Sequence, residues 1–184
     1  GTFLFLRDYR EYHGERLVDG SLIVTGPAGD IVAALPANRE GDVLCSHRGL
    51  TYGGFVTGTE MKTPRMLEIF DATLSYLKAA GVARVIYRTI PHIYHRTAAE
   101  EDRYALFLCG ARVIRRSALS VVAGPPRPPF QERRARGVRK ARRGSVSVRE
   151  TEDFEGYWAI LTRLLETRHG NRPVHALGEI QHLH

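Results

Sequence analysis

Residues 46–54 concentrate groups that can bind a small molecule. This stretch reads S-H-R-G-L-T-Y-G-G and supplies His47, Arg48, Tyr52, Gly53 and Gly54. An arginine fork can bind a carboxylate or a phosphate, and glycines let backbone amides approach a ligand closely. A glycine-rich hairpin turn with a solvated arginine explains the same residues, so a binding loop and a plain turn both stay open.

Residues 88–96 form a second such stretch, R-T-I-P-H-I-Y-H-R. Its candidates are Arg88, His92, Tyr94 and His95, placed after a predicted strand and before a predicted helix. Ligands favour such places because a helix N-terminus offers free N–H groups and positive partial charge. His92 or His95 can act as a general base toward an amine near neutral pH. The alternative is hydrogen-bonded surface histidines; we expect the stretch to line a ligand site.

Residues 125–143 hold the whole net charge of the chain, which is +7. The candidate contacts to an anion or a nucleic acid are Arg134, Arg139, Lys140, Arg142 and Arg143. Only Phe130 lies nearby to stack on bases, so single-strand recognition by aromatic side chains is poorly supported. A solvated basic helix, or one that binds an anionic substrate, is the alternative.

Several function classes are excluded by missing motifs. The sequence has no P-loop, no dinucleotide-binding glycine motif, no G-x-S-x-G and no H-E-x-x-H. Cys45 and Cys109 are the only cysteines, which predicts two reduced, mostly buried thiols, no metal site and a cytoplasmic setting. No apolar run approaches membrane-helix length, and residues 1–6 lack signal-peptide features, so we expect a chain trimmed at its start.

Hydrophobic periodicity and capping signals predict the elements that position these residues. In order they are a surface helix at 7–17, strands at 21–25, 31–36, 43–46 and 54–57, a helix at 66–80 and a strand at 82–90. A further helix is opened by the T-x-x-E capping box of Thr97 and Glu100 and closed by Gly110. A strand is predicted after it at 112–123. The first two strands are joined by G-P-A-G-D, and the next two are predicted to form a second pair.

The helix at 66–80 carries clear end signals. Thr63 is its predicted N-cap and Pro64 its first helical residue, and Gly81 follows its end. Its predicted buried stripe consists of Met66, Phe70, Leu74 and Leu77.

The run P-P-R-P-P at 125–129 predicts a linker, because it fits neither a helix interior nor a central strand. Beyond it the patterns predict a basic helix at 130–142, a short strand at 145–149, an amphipathic helix at 154–169 and a helix-like run at 175–184. The chain is therefore predicted to be α+β, sandwich-like, with one mixed, mostly antiparallel twisted sheet flanked by helices.

Taken together, several motifs resemble the FemAB-like branch of the GNAT acyltransferase superfamily. They are Y-R-E-Y-H-G-E-R-L-V-D-G-S-L-I-V, A-A-L-P-A-N-R, S-H-R-G-L-T-Y-G-G, I-P-H-I-Y-H-R-T-A-A-E-E-D-R-Y-A-L-F, R-G-V-R-K-A-R-R-G-S-V-S-V and R-H-G-N-R-P-V-H-A-L-G-E-I. The resemblance implies a first GNAT-like domain at 1–124, a linker at 125–129, and at 130–184 the basic helix and opening elements of a second, truncated domain.

The same resemblance implies acyl or aminoacyl transfer to an amine, in cell-envelope or polysaccharide assembly. The donor would be acyl-CoA or an aminoacyl-tRNA, with no permanently bound cofactor, and the acceptor a small-molecule, glycan or peptide amine. The acceptor groove would be lined by Tyr12, His13, His47, Arg48, Tyr52, Gly53, Gly54, Arg88, His92, Tyr94 and His95. The stretch G-T-E-M-K-T-P-R departs from the acyl-CoA-binding loop of GNAT relatives. A non-catalytic tRNA- or nucleic-acid-binding module centred on residues 133–143 is the alternative.

Overall fold

The computed structural model describes residues 3–6, 17–48, 50–122 and 124–183. The chain divides into two compact units, Gly1–Ser117 and Ala118–His184, each described by itself below. The predicted surface helix at 7–17 lies almost wholly outside the described residues, as do Tyr12 and His13. Helices and mostly antiparallel strands together confirm the α+β class.

The first unit contains seven described strands in two sheets. They are β1 (Val18–Asp19), β2 (Leu22–Thr25), β3 (Ile31–Leu35), β4 (Ala37–Glu40), β5 (Val43–Ser46), β6 (Val56–Thr57) and β7 (Arg84–Ile86). One sheet has the order β1-β4-β5-β7 and the other the order β2-β3-β6. The prediction of a single sheet is wrong for these strands. Strands β3 and β4 lie in different sheets and are separated only by Pro36, a residue that has no N–H for a sheet ladder.

The hairpin of β2 and β3 confirms the first predicted strand pair. Gly26 N–H donates to Asp30 O at 2.8 Å, and Gly29 closes the turn at φ +81°. The second predicted pair is wrong, because β5 pairs with β4 and β7 while β6 pairs with β3.

The first helix, α1 (Thr63–Ala79), lies where the pattern predicts it. Its N-cap is Lys62 and not Thr63, which is already helical. Met66, Phe70 and Leu77 are buried as predicted, whereas Leu74 is 37% exposed. Buried Ile69 and Thr73 complete the inner face, since neighbours three and four positions apart share one side of a helix. This face packs on the main core with Ala33, Leu35, Leu44 and Phe55.

The second helix, α2 (Glu101–Leu108), begins after the predicted capping box. Glu100 is its N-cap and makes no side-chain cap bond; its carboxylate instead accepts from Arg103 at 2.6 Å. The capping-box prediction is therefore wrong. The predicted closure by Gly110 is confirmed, because Gly110 has φ +69° and Ala111 N–H donates back to Leu106 O at 3.0 Å.

Two further strand predictions differ from the structure. The strand predicted at 82–90 is three residues long, and the one predicted at 112–123 is absent from the described residues. Side chains such as Val113 and Ile114 are exposed there, at 73% and 77%. Local strand character does not suffice without a neighbouring strand to complete the ladder.

The second unit contains helices α3 (Glu132–Arg143), α4 (Phe154–His169) and α5 (Leu177–Leu183). Helix α4 has the predicted bounds, and its aligned apolar residues Phe154, Trp158, Leu161 and Leu165 are half-buried. No strand occurs at 145–149, where Val148 is almost fully exposed. None of the helices in the described part of the chain is both long and apolar enough to cross a membrane.

Candidate functional site

The two chemistry-bearing stretches meet at one end of the first unit. Among the described strands, β5 and β7 form the only parallel pair, in the register Val43↔Arg84, Leu44↔Val85 and Cys45↔Ile86. Their carboxyl ends lead into residues 46–54 and 87–96. Loops at the carboxyl ends of parallel strands are a frequent place for ligand sites, and we call these two segments the candidate site.

Arg88 ties the two segments together. Its backbone N–H donates to Ser46 Oγ at 2.7 Å, so the serine hydroxyl continues the contact between β5 and β7 past the last paired residues. Its guanidinium donates to the carbonyl oxygens of Leu50 and, at 3.5 Å, of His47. Arg88 therefore stabilises the first half of the loop at 46–54, and the N–H groups that make these bonds are already used within the fold.

Aromatic rings form the second connection. Tyr52 stacks on Tyr94 with ring centroids 4.9 Å apart and planes at 27°. Tyr52 is buried at 5% exposure, whereas Tyr94 is 48% exposed. Phe5 contacts the ring of His47 edge-on, with centroids 5.1 Å apart. The buried Tyr52 ring therefore forms the inner wall of the site, and the stacked Tyr94 ring is its exposed outer side.

Arg48 is the cation of the loop that stays partly open. Its guanidinium pairs with Glu40, and its side chain is 42% exposed. Its backbone N–H donates to Asn38 Oδ1 at 3.1 Å, which joins the loop to β4. Arg48 can therefore reach a ligand only in competition with Glu40.

The close packing of the loop requires two glycines. A Cβ on Gly53 would lie 2.8 Å from both the Cβ of His47 and the carbonyl oxygen of Ser46. Gly54 has φ +94°, and its Cβ would lie 2.7 Å from the Tyr87 hydroxyl. Both glycines are explained by packing, so they need no ligand to account for them.

The two candidate bases have different environments. His92 is exposed in a 3₁₀ helix, His92–Tyr94. His95 is half-buried; its Nε2 lies 3.2 Å from Ile90 O, and its Nδ1 is buried without a hydrogen-bond partner among the described residues. His92 is therefore the imidazole that a substrate from solvent can reach.

Sequence reasoning missed Tyr87 and Asp102. The Tyr87 hydroxyl accepts from Phe55 N–H at 2.8 Å and donates to Asp102 Oδ2 at 3.1 Å. Burial, followed by the negative charge of Asp102, raises the pKa of Tyr87 well above its ordinary value. No local motif marks this pair, because Tyr87 follows strand β7 and Asp102 lies in the first turn of α2, 15 positions later.

The remaining candidates lie on α3 and at the cysteines. The α3 cations are exposed, and Glu132 pairs with Arg139 at 2.5 Å and more loosely with Arg136 at 3.9 Å. Both cysteines are free; Cys45 is buried as predicted, but Cys109, the C-cap residue of α2, is exposed. No group of three potential metal ligands occurs in the described parts of the chain.

Comparison with known proteins gives no match to a family model, to a curated protein or to a solved structure.

Proposed function

We propose that this chain is part of a cytoplasmic enzyme that transfers an acyl or aminoacyl group to an amine, in cell-envelope or polysaccharide assembly. The supporting observation is the meeting of residues 46–54 and 87–96 at the carboxyl ends of β5 and β7. The sequence resemblance implies an acceptor groove lined by residues of these two segments and by Tyr12 and His13. The proposed fold is correspondingly GNAT-like.

In the proposed reaction the unprotonated amine attacks the carbonyl carbon of a thioester or ester donor directly. A nitrogen–carbon bond forms, the bond to the thiol or tRNA hydroxyl breaks, and the leaving group departs with its electron pair. His92 accepts the proton of the attacking amine, since it is the solvent-facing imidazole of the site. Arg48 stabilises the tetrahedral oxyanion when it is released from Glu40.

The donor is acyl-CoA or an aminoacyl-tRNA, and the assay must separate the two. The chain, with any sequence that naturally follows His184, is incubated with acetyl-CoA or with charged tRNA. The acceptors are a lysine-containing peptide, an amino sugar and a polyamine. Mass spectrometry of the acceptor then detects an added acyl or aminoacyl group and shows which donor supplied it.

Two variants test the site residues. His92→Ala should lower transfer by about 10²-fold or more, because it removes the proton acceptor. Arg48→Ala should also lower turnover strongly. The matched controls are His169→Ala and Arg103→Ala, which remove exposed side chains outside the site. Unchanged transfer by both site variants would contradict the proposed site, and no product from either donor would contradict the reaction.

Helix α3 supports a second candidate function, a non-catalytic tRNA- or nucleic-acid-binding module. Its cations are exposed, and Glu132 is the only acid in the helix. Phosphate contacts by such cations make the affinity fall steeply as salt rises. Alanine at Arg139, Lys140, Arg142 and Arg143 should therefore weaken binding of labelled tRNA far more than alanine at the exposed Arg112, Arg115, Arg116 and Arg149. Equal loss in both sets would contradict a specific role for α3.

A further inference from the structure

A groove of ≈ 250 Å³ lies in the first unit between α1, β7 and α2. Its walls are mostly apolar: Phe70, Leu74 and Leu77 come from α1, Val85 from β7 and Leu106 from α2. Of the two segments of the candidate site, only Tyr87 lies in the lining, and its hydroxyl is already bonded to Phe55 and Asp102. The Tyr87 hydroxyl therefore already has one donor and one acceptor partner within the fold.

Apolar side chains that line the groove are partly exposed in the described part of the chain. Leu74 lies next to the buried stripe of α1 but is 37% exposed, and Val85 and Leu106 are half-buried. Removing such side chains from water is favourable by about 25 cal/mol per Å² of apolar surface. A cavity of about 150 Å³ with apolar walls is already large enough to bind a small hydrocarbon. This groove has room for one alkyl chain.

The charges in the lining select among apolar ligands. Lys78 and Arg84 both line the groove, and no carboxylate among the described residues does. Both cations are exposed, and neither has an ion-pair partner among the described residues. An anionic head group at the mouth would be attracted by both cations while its chain lies between the helices.

We propose that this groove binds a single medium-length alkyl chain that ends in a carboxylate, as in a free fatty acid. Mostly apolar walls, two cations and a volume suited to one chain define this ligand together. The inference goes beyond acyl transfer to an amine and does not depend on it, because the groove would bind the acid even if the chain transfers nothing.

Cys109 is a natural reporter for this proposal, because it lines the groove and is exposed. Its alkylation by iodoacetamide, a neutral reagent, can be followed by peptide mass spectrometry on the full chain. Saturating decanoate should slow Cys109 alkylation at least tenfold. Decanol, which has the same chain without the charge, should protect only at higher concentration.

Charge reversal tests the head-group contact. The double variant Lys78→Glu, Arg84→Glu should lose at least tenfold in affinity for decanoate and keep its affinity for decanol. The matched control, Arg133→Glu with Arg134→Glu on α3, makes the same change in net charge and should behave like the parent chain. His92→Ala should also leave protection unchanged, which separates this site from the transfer reaction.

Three results would overturn the proposal. The first is Cys109 alkylation that decanoate does not slow. The second is equal protection of the parent chain and the charge-reversed variant, since the cations would then not contact the ligand. The third is a slow alkylation of Cys109 in the absence of ligand, together with a fast alkylation once the apolar residues of 112–122 are replaced by serine. The chain itself would then fill the groove.

Discussion

The hydroxyl of Tyr87 accepts a hydrogen bond from the backbone N–H of Phe55 at 2.8 Å, although the residues are 32 positions apart. This bond fixes the C-terminal end of the loop formed by residues 46–54. Arg88, which follows Tyr87 in the chain, fixes the N-terminal part of the loop through Ser46 and the carbonyl oxygens of His47 and Leu50. Two successive residues after β7 thus fix both ends of the loop that carries Tyr52, so we expect the loop geometry to depend on Tyr87.

Tyr87→Phe should lower the free energy of unfolding of the first unit by about 1–3 kcal/mol. The substitution keeps the ring and removes the oxygen, so Phe55 N–H loses its acceptor and Asp102 loses a donor. The measurement is urea-dependent reactivity of the buried Cys45, with exposed Cys109 as an internal reference. Tyr104→Phe, at a 49% exposed ring, is the control and should change little. Equal stability of the two variants would contradict a structural role for the hydroxyl.

The hydrogen-bonded pair of Tyr87 and Asp102 predicts that the first unit loses stability at high pH. Burial raises the pKa of folded Tyr87 above the ordinary value of 10.0, so above that pH the unfolded chain releases a proton that the folded chain keeps. Stability from this group is complete below the ordinary pKa and falls as pH rises toward the folded pKa. The difference in unfolding free energy between the parent chain and Tyr87→Phe should therefore shrink above about pH 10. A difference that stays constant with pH would contradict the raised pKa.

Local signals predicted the elements whose stabilising contacts are close in sequence. The hairpin of β2 and β3, the bounds of α4 and the closing turn at Gly110 were all correct. Predictions that need distant partners failed: the strand at 112–123 has no neighbouring strand to join among the described residues, and β5 and β6 pair in different sheets. Strand pairing is decided by the whole sheet, which periodicity of one segment does not contain.

The function of the candidate site stays a prediction, although its two segments do lie together. Residue types identified the two segments, and the structure brings Tyr52 onto Tyr94 and Arg88 onto the loop. Their individual roles were not predictable, since Arg88 uses donors within the fold and Arg48 is paired with Glu40. The Arg88 contacts join groups 38 to 42 positions apart, and the partner of Arg48 lies at the end of strand β4. The position of Tyr12 and His13 stays a prediction, because neither lies in the described residues.

Gly54→Ala should destabilise the first unit by more than about 1 kcal/mol. Alanine would have to adopt φ +94° with its Cβ 2.7 Å from the Tyr87 hydroxyl and 3.0 Å from Arg88 O. Gly58→Ala is the matched control, because no heavy atom lies within 4 Å of its added Cβ. Cys45 reactivity in urea measures both variants. A Gly54→Ala chain as stable as the control would mean that the loop is not held against Tyr87.

Asp153→Ala should destabilise α4 by about 0.5–2 kcal/mol. Asp153 is the N-cap of this helix, and its Oδ1 accepts from Gly156 N–H at 2.8 Å, so alanine leaves that donor without its partner. Trp158 is the only tryptophan of the chain and lies on α4, so its fluorescence during urea unfolding reports on the second unit. Glu152→Ala, one residue earlier and exposed, removes a charge without removing the cap. A lower transition midpoint for Asp153→Ala alone would show that the cap stabilises the helix, whereas equal shifts in both variants would assign the effect to charge.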